Sequence, residues 1–391
     1  MMADRDADRD AAFLDSIRRI ADGVAARDAD VVDREASFPS ATIDALRGER
    51  ALSAFVPQRL GGAGVSFAAI AAASFELGRR CGASAMVFAM HQIQVASITR
   101  HLEDAPWFED YLSRLGRDQR LIASATSEVG TGGDLGKSIA AVNQGSAGRV
   151  SFEKQAPTVS YGAHADDLLT TLRRAPEAEP GDQVIVLTHS EQNTLEQTGT
   201  WDPLGMRGTC SPGYTIRGEA AVEQVLPTPF EKVATQTMVP VSHVLWSHLW
   251  LGIATDAFDR ARAFVRASAK QRPDQPLPAA VRLSHLLSEL SLMRAEVSSG
   301  LRAFEEASSD PDRLSTMASV LRFNNLKIAA SDQAPRVCQG AMNVCGIVGY
   351  KNDTPFSVGR HLRDTMSACL MVANERIHQT NATLLLIAKE V

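Results

Sequence analysis

The eight residues TGGDLGKS, 131 to 138, put a lysine and a serine behind glycines, the residue types that cradle a nucleotide phosphate. A phosphate-binding loop reads G-x-x-x-x-G-K-[ST]. Gly136, Lys137 and Ser138 are in place, while Thr131 stands where the first glycine belongs. Such a loop leaves a strand and opens a helix whose first N–H groups hold the phosphates. Upstream, LIASATSEV has the character of a strand, but downstream SIAAVNQGSAGRVSFEKQ is two short apolar runs around a Gly/Ser/Asn turn. That is hairpin punctuation rather than a helix. Thr131 also brings a Cβ to a position that needs glycine's backbone freedom. The nucleotide reading fails, and the glycines serve another purpose.

Other residues able to do chemistry are few. His91 lies in SAMVFAMHQIQVAS, a segment apolar nearly all round, where a histidine is ordinarily a hydrogen-bonded core residue. Glu375 in LMVANERIHQTN is followed by Arg376, and a helix-start ion pair is its plainest role. Five cysteines (Cys81, Cys210, Cys338, Cys345, Cys369) are scattered without a C-x-x-C pair, so neither a metal site nor a disulfide framework is indicated.

Positioning such residues falls to the elements around them. A 391-residue chain is long for one core and calls for two or three units. At 45% hydrophobic and 22% charged residues it is ordinary globular material, and a net charge of -6 gives no reason to expect nucleic acid as a partner. The charged start MMADRDADRDAAF lacks the apolar core of a signal peptide. MVPVSHVLWSHLWLGIA, broken by His243 and His248, is too short and polar for a membrane span. The expected location is the cytoplasm. In the first unit, residues 1–120, helical spacing runs almost throughout from residue 11, interrupted by FVPQRLGGAGVSF. Residues 121–235 break into short β-branched runs separated by Gly, Pro, Asn and Asp, among them LIASATSE, SIAAV, RVSFEK, DLLTTLR and QVIVLTH. Residues 236–391 return to long helical periods. The expected class is α+β: a helical N-terminal unit, a middle antiparallel β unit and a C-terminal helical bundle.

In this order the chain resembles the acyl-CoA dehydrogenases, flavoproteins with that architecture. FVPQRLGGAGVSF resembles the family's P-x-x-x-G-G-x-G turn, and ATSEVGTGGDLG its T-E-P-x-x-G-S-D loop. WDPLGMRGTCS, MNVCGIVGY and PFSVGRHLRD resemble three later family segments in the right order. The resemblance implies FAD, held between two subunits of a dimer or tetramer, and α,β-dehydrogenation of an acyl thioester carried by CoA or acyl carrier protein. It also implies an electron acceptor, a second flavoprotein or oxygen. By the same resemblance the glycine-rich loop lies against the flavin, with Ser127 and its neighbours Ala125 and Thr126 at the ring edge and Gly132 giving close approach. Thr158 or Ser160 bonds the flavin's N5 position, and Asn343 and Gly346 contact the cofactor's far half.

Several positions depart from the family pattern. Ala156 replaces a tryptophan that covers the flavin. Ser268 falls on the arginine that binds the FAD pyrophosphate, leaving Lys270 or Arg272 to supply the charge, unless these are only solvated helix-end cations. The two places from which the family draws its catalytic carboxylate fall on Val372 and near Ser242, neither acidic. Glu375, three residues beyond the first, is the expected base if the loop shifts. Flavin monooxygenases of the same fold use histidines near the flavin as proton donors, and His91 is the candidate for that alternative. A flavin-bound scaffold without turnover is a third reading.

Overall fold

The computed structural model describes residues 2–271 and 278–388. Six helices come first: α1 (Met2–Ile20), α2 (Ala26–Arg34), α3 (Ser40–Gly48), α4 (Phe67–Gly78), α5 (Gly82–Thr99) and α6 (Pro106–Asp118). Their boundaries follow local chemistry. Ser66 caps α4 by accepting the Ala69 N–H at 3.1 Å, and Pro106 opens α6, where its missing N–H costs nothing. Helix α5 is buried on nearly every side, as its all-round apolar sequence requires.

Eight strands follow: β1 (Ile122–Ala125), β2 (Asn143–Gln144), β3 (Arg149–Ala156), β4 (Asp167–Arg173), β5 (Gln183–His189), β6 (Asn193–Gln197), β7 (Tyr214–Ala221) and β8 (Val225–Leu226). They form two sheets, ordered β1-β4-β5-β8 and β2-β3-β7-β6. Every pairing is antiparallel except β1 with β4, which is parallel. Two sequence expectations are corrected. SIAAV is not a strand, because its backbone is taken up by side chains and by one isolated bridge from Ala141 to Arg173. NTLEQ, too polar to announce itself, is the edge strand β6.

The C-terminal unit comprises α7 (Phe230–Val233), α8 (Val239–Gln271), α9 (Pro278–Ser308), α10 (Pro311–Leu314), α11 (Met317–Cys345), α12 (Ile347–Tyr350), α13 (Gly359–Met366) and α14 (Asn374–Leu385). Helices α8, α9 and α11 pack along one another, with α14 against α11. A π-helical turn, Ala234–Met238, joins α7 to α8. Pro240 has no N–H to return to the Gln236 carbonyl, which accounts for the widened register just before it. Helix α4 crosses α8 at two glycines; a Cβ on Gly252 would meet the Phe75 carbonyl at 2.3 Å. No helix among the described residues is long and apolar enough to cross a membrane.

The three units are tied together through α13. Asp364, fully buried, accepts the Met206 N–H at 2.7 Å from the β unit. Arg360 and Arg363 reach the N-terminal unit, at Asp30 (3.0 Å) and Asp33 (2.8 Å). His361 donates to Asp256 of α8 at 2.8 Å, and Arg80 and Arg260 bind the same carboxylate. Burial pushes the Asp364 carboxyl up to about 6, although Arg360 opposes it. A carboxyl raised above its unfolded value stabilises fully below about pH 4, and that contribution is lost as pH rises through about 6. Asp364→Asn keeps an acceptor for Met206 without the charge. Denaturant titrations across pH should therefore show the parent's stability falling relative to the Asn variant, by up to about 2–3 kcal/mol between pH 4 and 7. A difference that is flat, or that grows with pH, contradicts the assignment.

Candidate functional site

A cavity of about 840 Å3 lies where the three units meet, a volume suited to a cofactor with a small substrate. Its two walls differ. The β-unit wall carries hydroxyls: Thr126, Ser127, Thr158, Ser160, Thr209 and Ser211. Ser127 donates to the Thr158 carbonyl at 2.9 Å, and Ser211 donates to Ser160 at 2.9 Å. Among the described residues the Thr126 and Thr158 hydroxyls have no protein partner, so they are available to a ligand. The helical wall is largely apolar, with Met86, Met90 and Ile93 of α5, Met238, and Phe323 of α11, interrupted by polar groups such as His243 and Asn324.

The glycine loop is closed by a buried charge pair. Glu128 accepts Ser138 Oγ at 2.7 Å and the N–H groups of Ile139 (3.1 Å) and Ala140 (2.6 Å), which draws both ends of the loop together. Lys154 Nζ lies 3.6 Å from Glu128 and donates to the Thr171 carbonyl at 2.7 Å. Burial lowers the Lys154 ammonium to about 8, while Glu128 pulls it back up. Between these anchors the chain needs left-handed backbone at Gly130, Gly132 and Gly133, with φ of 92°, 60° and 80°. No helix follows Ser138, and Lys137 pairs with Asp134 at 3.4 Å, as the failed phosphate-loop reading requires. Arg376 of α14 donates to the Gly132 carbonyl, strapping the loop to the bundle.

The candidate site residues separate into four groups. Thr126, Ser127, Thr158 and Ser160 line the cavity, and Gly132 lies at its strap. Ala125, at the end of β1, is fully buried behind them. Asn343 and Gly346 line a second, open depression of about 540 Å3 with Arg282, Ile347 and Tyr350. Lys270 is exposed at the end of α8, and Arg272 lies outside the described residues.

Neither candidate catalyst lines the cavity. His91 is fully buried, its Nε2–H donating to the Leu52 carbonyl at 2.7 Å and its Nδ1 accepting the Ile122 N–H at 3.0 Å. With both ring nitrogens committed to backbone, it braces β1 against α5; burial lowers it to about 4. Glu375 is exposed in the first turn of α14, while its neighbours Val372 and Arg376 face the cavity. Val372 and Ser242, the two positions expected to carry a base, do line the cavity, and both are uncharged. Val372 has φ of 46°, a left-handed backbone that a β-branched residue rarely adopts, with its carbonyl 3.4 Å from Lys327 Nζ. Asp134 is the single carboxylate among the described lining residues; it is occupied by the Gly136 N–H at 3.0 Å and by Lys137. Although Ala156 replaces the family's tryptophan, two indoles line the cavity, Trp246 and Trp201, the latter donating to the Arg207 carbonyl at 2.9 Å.

Sequence reasoning missed His243, the one histidine among the described lining residues. Its Nδ1–H donates to the Phe323 carbonyl at 3.1 Å, which leaves Nε2 bare. Burial, reinforced by nearby Lys327, lowers it to about 3, so it is neutral at physiological pH. The sequence showed it only as a polar break in an apolar run.

Residues 7–115 match the model of the acyl-CoA dehydrogenase N-terminal domain. The chain is 25% identical over 347 residues to the human mitochondrial short-chain specific acyl-CoA dehydrogenase, covering 85% of this chain and 79% of that protein. It is 22% identical over 354 residues to the amino sugar nitrososynthase DnmZ of Streptomyces peucetius, covering 87% and 84%. FMN-bound TdsC, a dibenzothiophene monooxygenase from Paenibacillus sp. A11-2, superposes with a TM-score of 0.83 at 19% identity, covering 96% of this chain and 97% of that one. The chain has the acyl-CoA dehydrogenase fold. Relatives with this fold thus differ in chemistry, and the choice among them rests on the site.

The Glu128–Lys154 pair gives a test of the loop's construction. Lys154→Met leaves a buried carboxylate without its counter-charge and should cost about 3–5 kcal/mol by denaturant titration. Adding Glu128→Gln to Lys154→Met should recover a large part of that loss. Additive losses from the two changes contradict a coupled pair.

Proposed function

We propose that the cavity holds a flavin against its hydroxyl-bearing wall and that the protein is a flavin-dependent monooxygenase acting on an apolar substrate. The observation that carries this reading is the lack of an available carboxylate among the described residues that line the cavity. Removing the α-proton of a thioester needs a base at the reacting carbon. The two expected positions hold Val372 and Ser242, and Asp134 is tied to its own loop. The nitrososynthase and TdsC relatives agree with chemistry that uses oxygen rather than an acyl base.

When bound, the flavin supplies two-electron chemistry with oxygen. The chain's own part is to bind, orient and exclude water. Thr126 and Thr158 offer free hydroxyls to the ring edge, Ser127 and Ser160 are held beside them, and the methionine-rich wall keeps the opposite side dry. FMN suits this chain better than FAD. The pyrophosphate arginine is replaced by Ser268, and Lys270 stands exposed at a helix end. FAD would instead need the depression at Asn343 and Gly346 of a second copy. Exposed Ile347 and Tyr350 there support a dimer or tetramer.

Thioester dehydrogenation is the second reading, favoured by the likeness to the human short-chain enzyme. It would require the strained segment at Val372 to rearrange and bring Glu375 inward.

Supplied with enzymatically reduced FMN and 18O-labelled oxygen, the protein should transfer one labelled atom to members of a panel of apolar aromatics. Glu375→Gln should leave that rate unchanged, within about 0.5 kcal/mol of the parent in stability. Product without label, or none across the panel, overturns the monooxygenase reading.

A further inference from the structure

Two arginines line the cavity, and they are satisfied differently. Arg363 gives its guanidinium to both oxygens of Asp33 and to the Leu204 carbonyl. Arg376, in the first turn of α14, is half-buried, and the one protein acceptor of its guanidinium among the described residues is the Gly132 carbonyl, reached by Nη2. Its Nε and Nη1 bond nothing there and keep accessible surface. A guanidinium on the wall of a largely apolar cavity gives up hydration and gains no counter-charge, unless an anion shares the cavity. The glycine loop lies directly against it. A Cβ on Gly132 or on Gly133 would stand 3.8 Å from Arg376 Nη2, so a longer side chain at either position would crowd the guanidinium. The N–H groups of Gly132, Gly133 and Leu135 have no protein acceptor among the described residues. Asp134 does not answer the charge, since its carboxylate is taken by the Gly136 N–H at 3.0 Å and by Lys137 at 3.4 Å.

We propose that Arg376, with the amides of the Gly132–Gly133 turn, seats the terminal phosphate of FMN. Unpaired loop amides beside a guanidinium are a donor set for phosphate, and a phosphate monoester brings about two negative charges at pH 7 to an arginine that has none. The loop would then hold a phosphate after all, through glycine backbone and an arginine from the bundle rather than through Lys137 and a following helix. Thr126 and Thr158 line the same cavity, so ring and phosphate fall to different parts of one wall. Ser268 leaves the chain without the family's pyrophosphate arginine, and Arg376 is the one lining cation among the described residues that is free to take its place. The seat separates FMN from riboflavin, whose ribityl chain ends in a neutral hydroxyl. The proposal rests on reading this cavity as the flavin site.

Fluorescence titration of the full chain, dialysed free of flavin, with FMN and with riboflavin tests this without turnover. The parent should bind FMN at least about thirtyfold more tightly than riboflavin, an advantage that shrinks as salt is raised. Arg376→Gln should weaken FMN by at least about tenfold while riboflavin stays within about threefold of the parent. Arg376→Lys, which keeps the charge but not the planar fork, should fall between the two. Equal binding of the two flavins by the parent overturns the proposal, and that comparison needs no variant. So does an Arg376→Gln protein that loses both flavins alike, because Arg376 would then act only as the strap on Gly132. Binding of neither flavin by the parent overturns the proposal and the flavin reading together. A preference for FMN in a protein that oxygenates nothing supports the seat and sinks only the monooxygenase reading, so the two claims fail separately.

Discussion

The cavity exists because one short helix, α13, places charged groups where three structural units meet. Asp364 has to surrender its water to accept the Met206 N–H, and the energetic strain of that burial appears as its raised pKa. Arg360, His361 and Arg363 on the same helix then bind carboxylates on α2 and on α8. With the Arg376 contact to the Gly132 carbonyl, this helix holds the β unit against the bundle and keeps the two walls of the cavity facing each other. The family-like sequence PFSVGRHLRD is therefore first a clamp, and the chemistry depends on it.

Within the clamp, burial is spent on neutral groups. His243 is kept uncharged, the single carboxylate among the described lining residues is tied to its own loop, and the positions expected to be acidic hold Val372 and Ser242. A dry, base-poor chamber with hydroxyls on one side suits a flat redox cofactor and an apolar substrate. The left-handed backbone at Val372 belongs to the same picture. A β-branched residue keeps that geometry only where its surroundings dictate it, and here Lys327 holds its carbonyl from below.

Much of the architecture was legible because each unit changes the period of its apolar residues: 3.6 in AAFLDSIRRI, two in RVSFEK, and 3.6 again after Pro240. The exceptions have physical reasons. SIAAV carries a strand's composition, but Glu128 claims two of its N–H groups, those of Ile139 and Ala140. NTLEQ gains its place as a strand from β7 alone. At the site, the loop hydroxyls were legible from order and spacing. The catalysts were not, since side-chain direction on a buried helix cannot be told from an all-apolar pattern. His91 and His243 look alike in sequence, and only the partners on each ring nitrogen distinguish a brace from a cavity wall.

The central claim is that the described residues lining the cavity offer no base to a thioester's α-carbon. The direct measurement is anaerobic incubation of the flavin-loaded protein with acyl thioesters deuterated at that carbon, in ordinary water, followed by mass spectrometry of the recovered thioester. The account predicts that the deuterium is retained and the flavin stays oxidised. Washout of deuterium, with or without bleaching of the flavin, would contradict it.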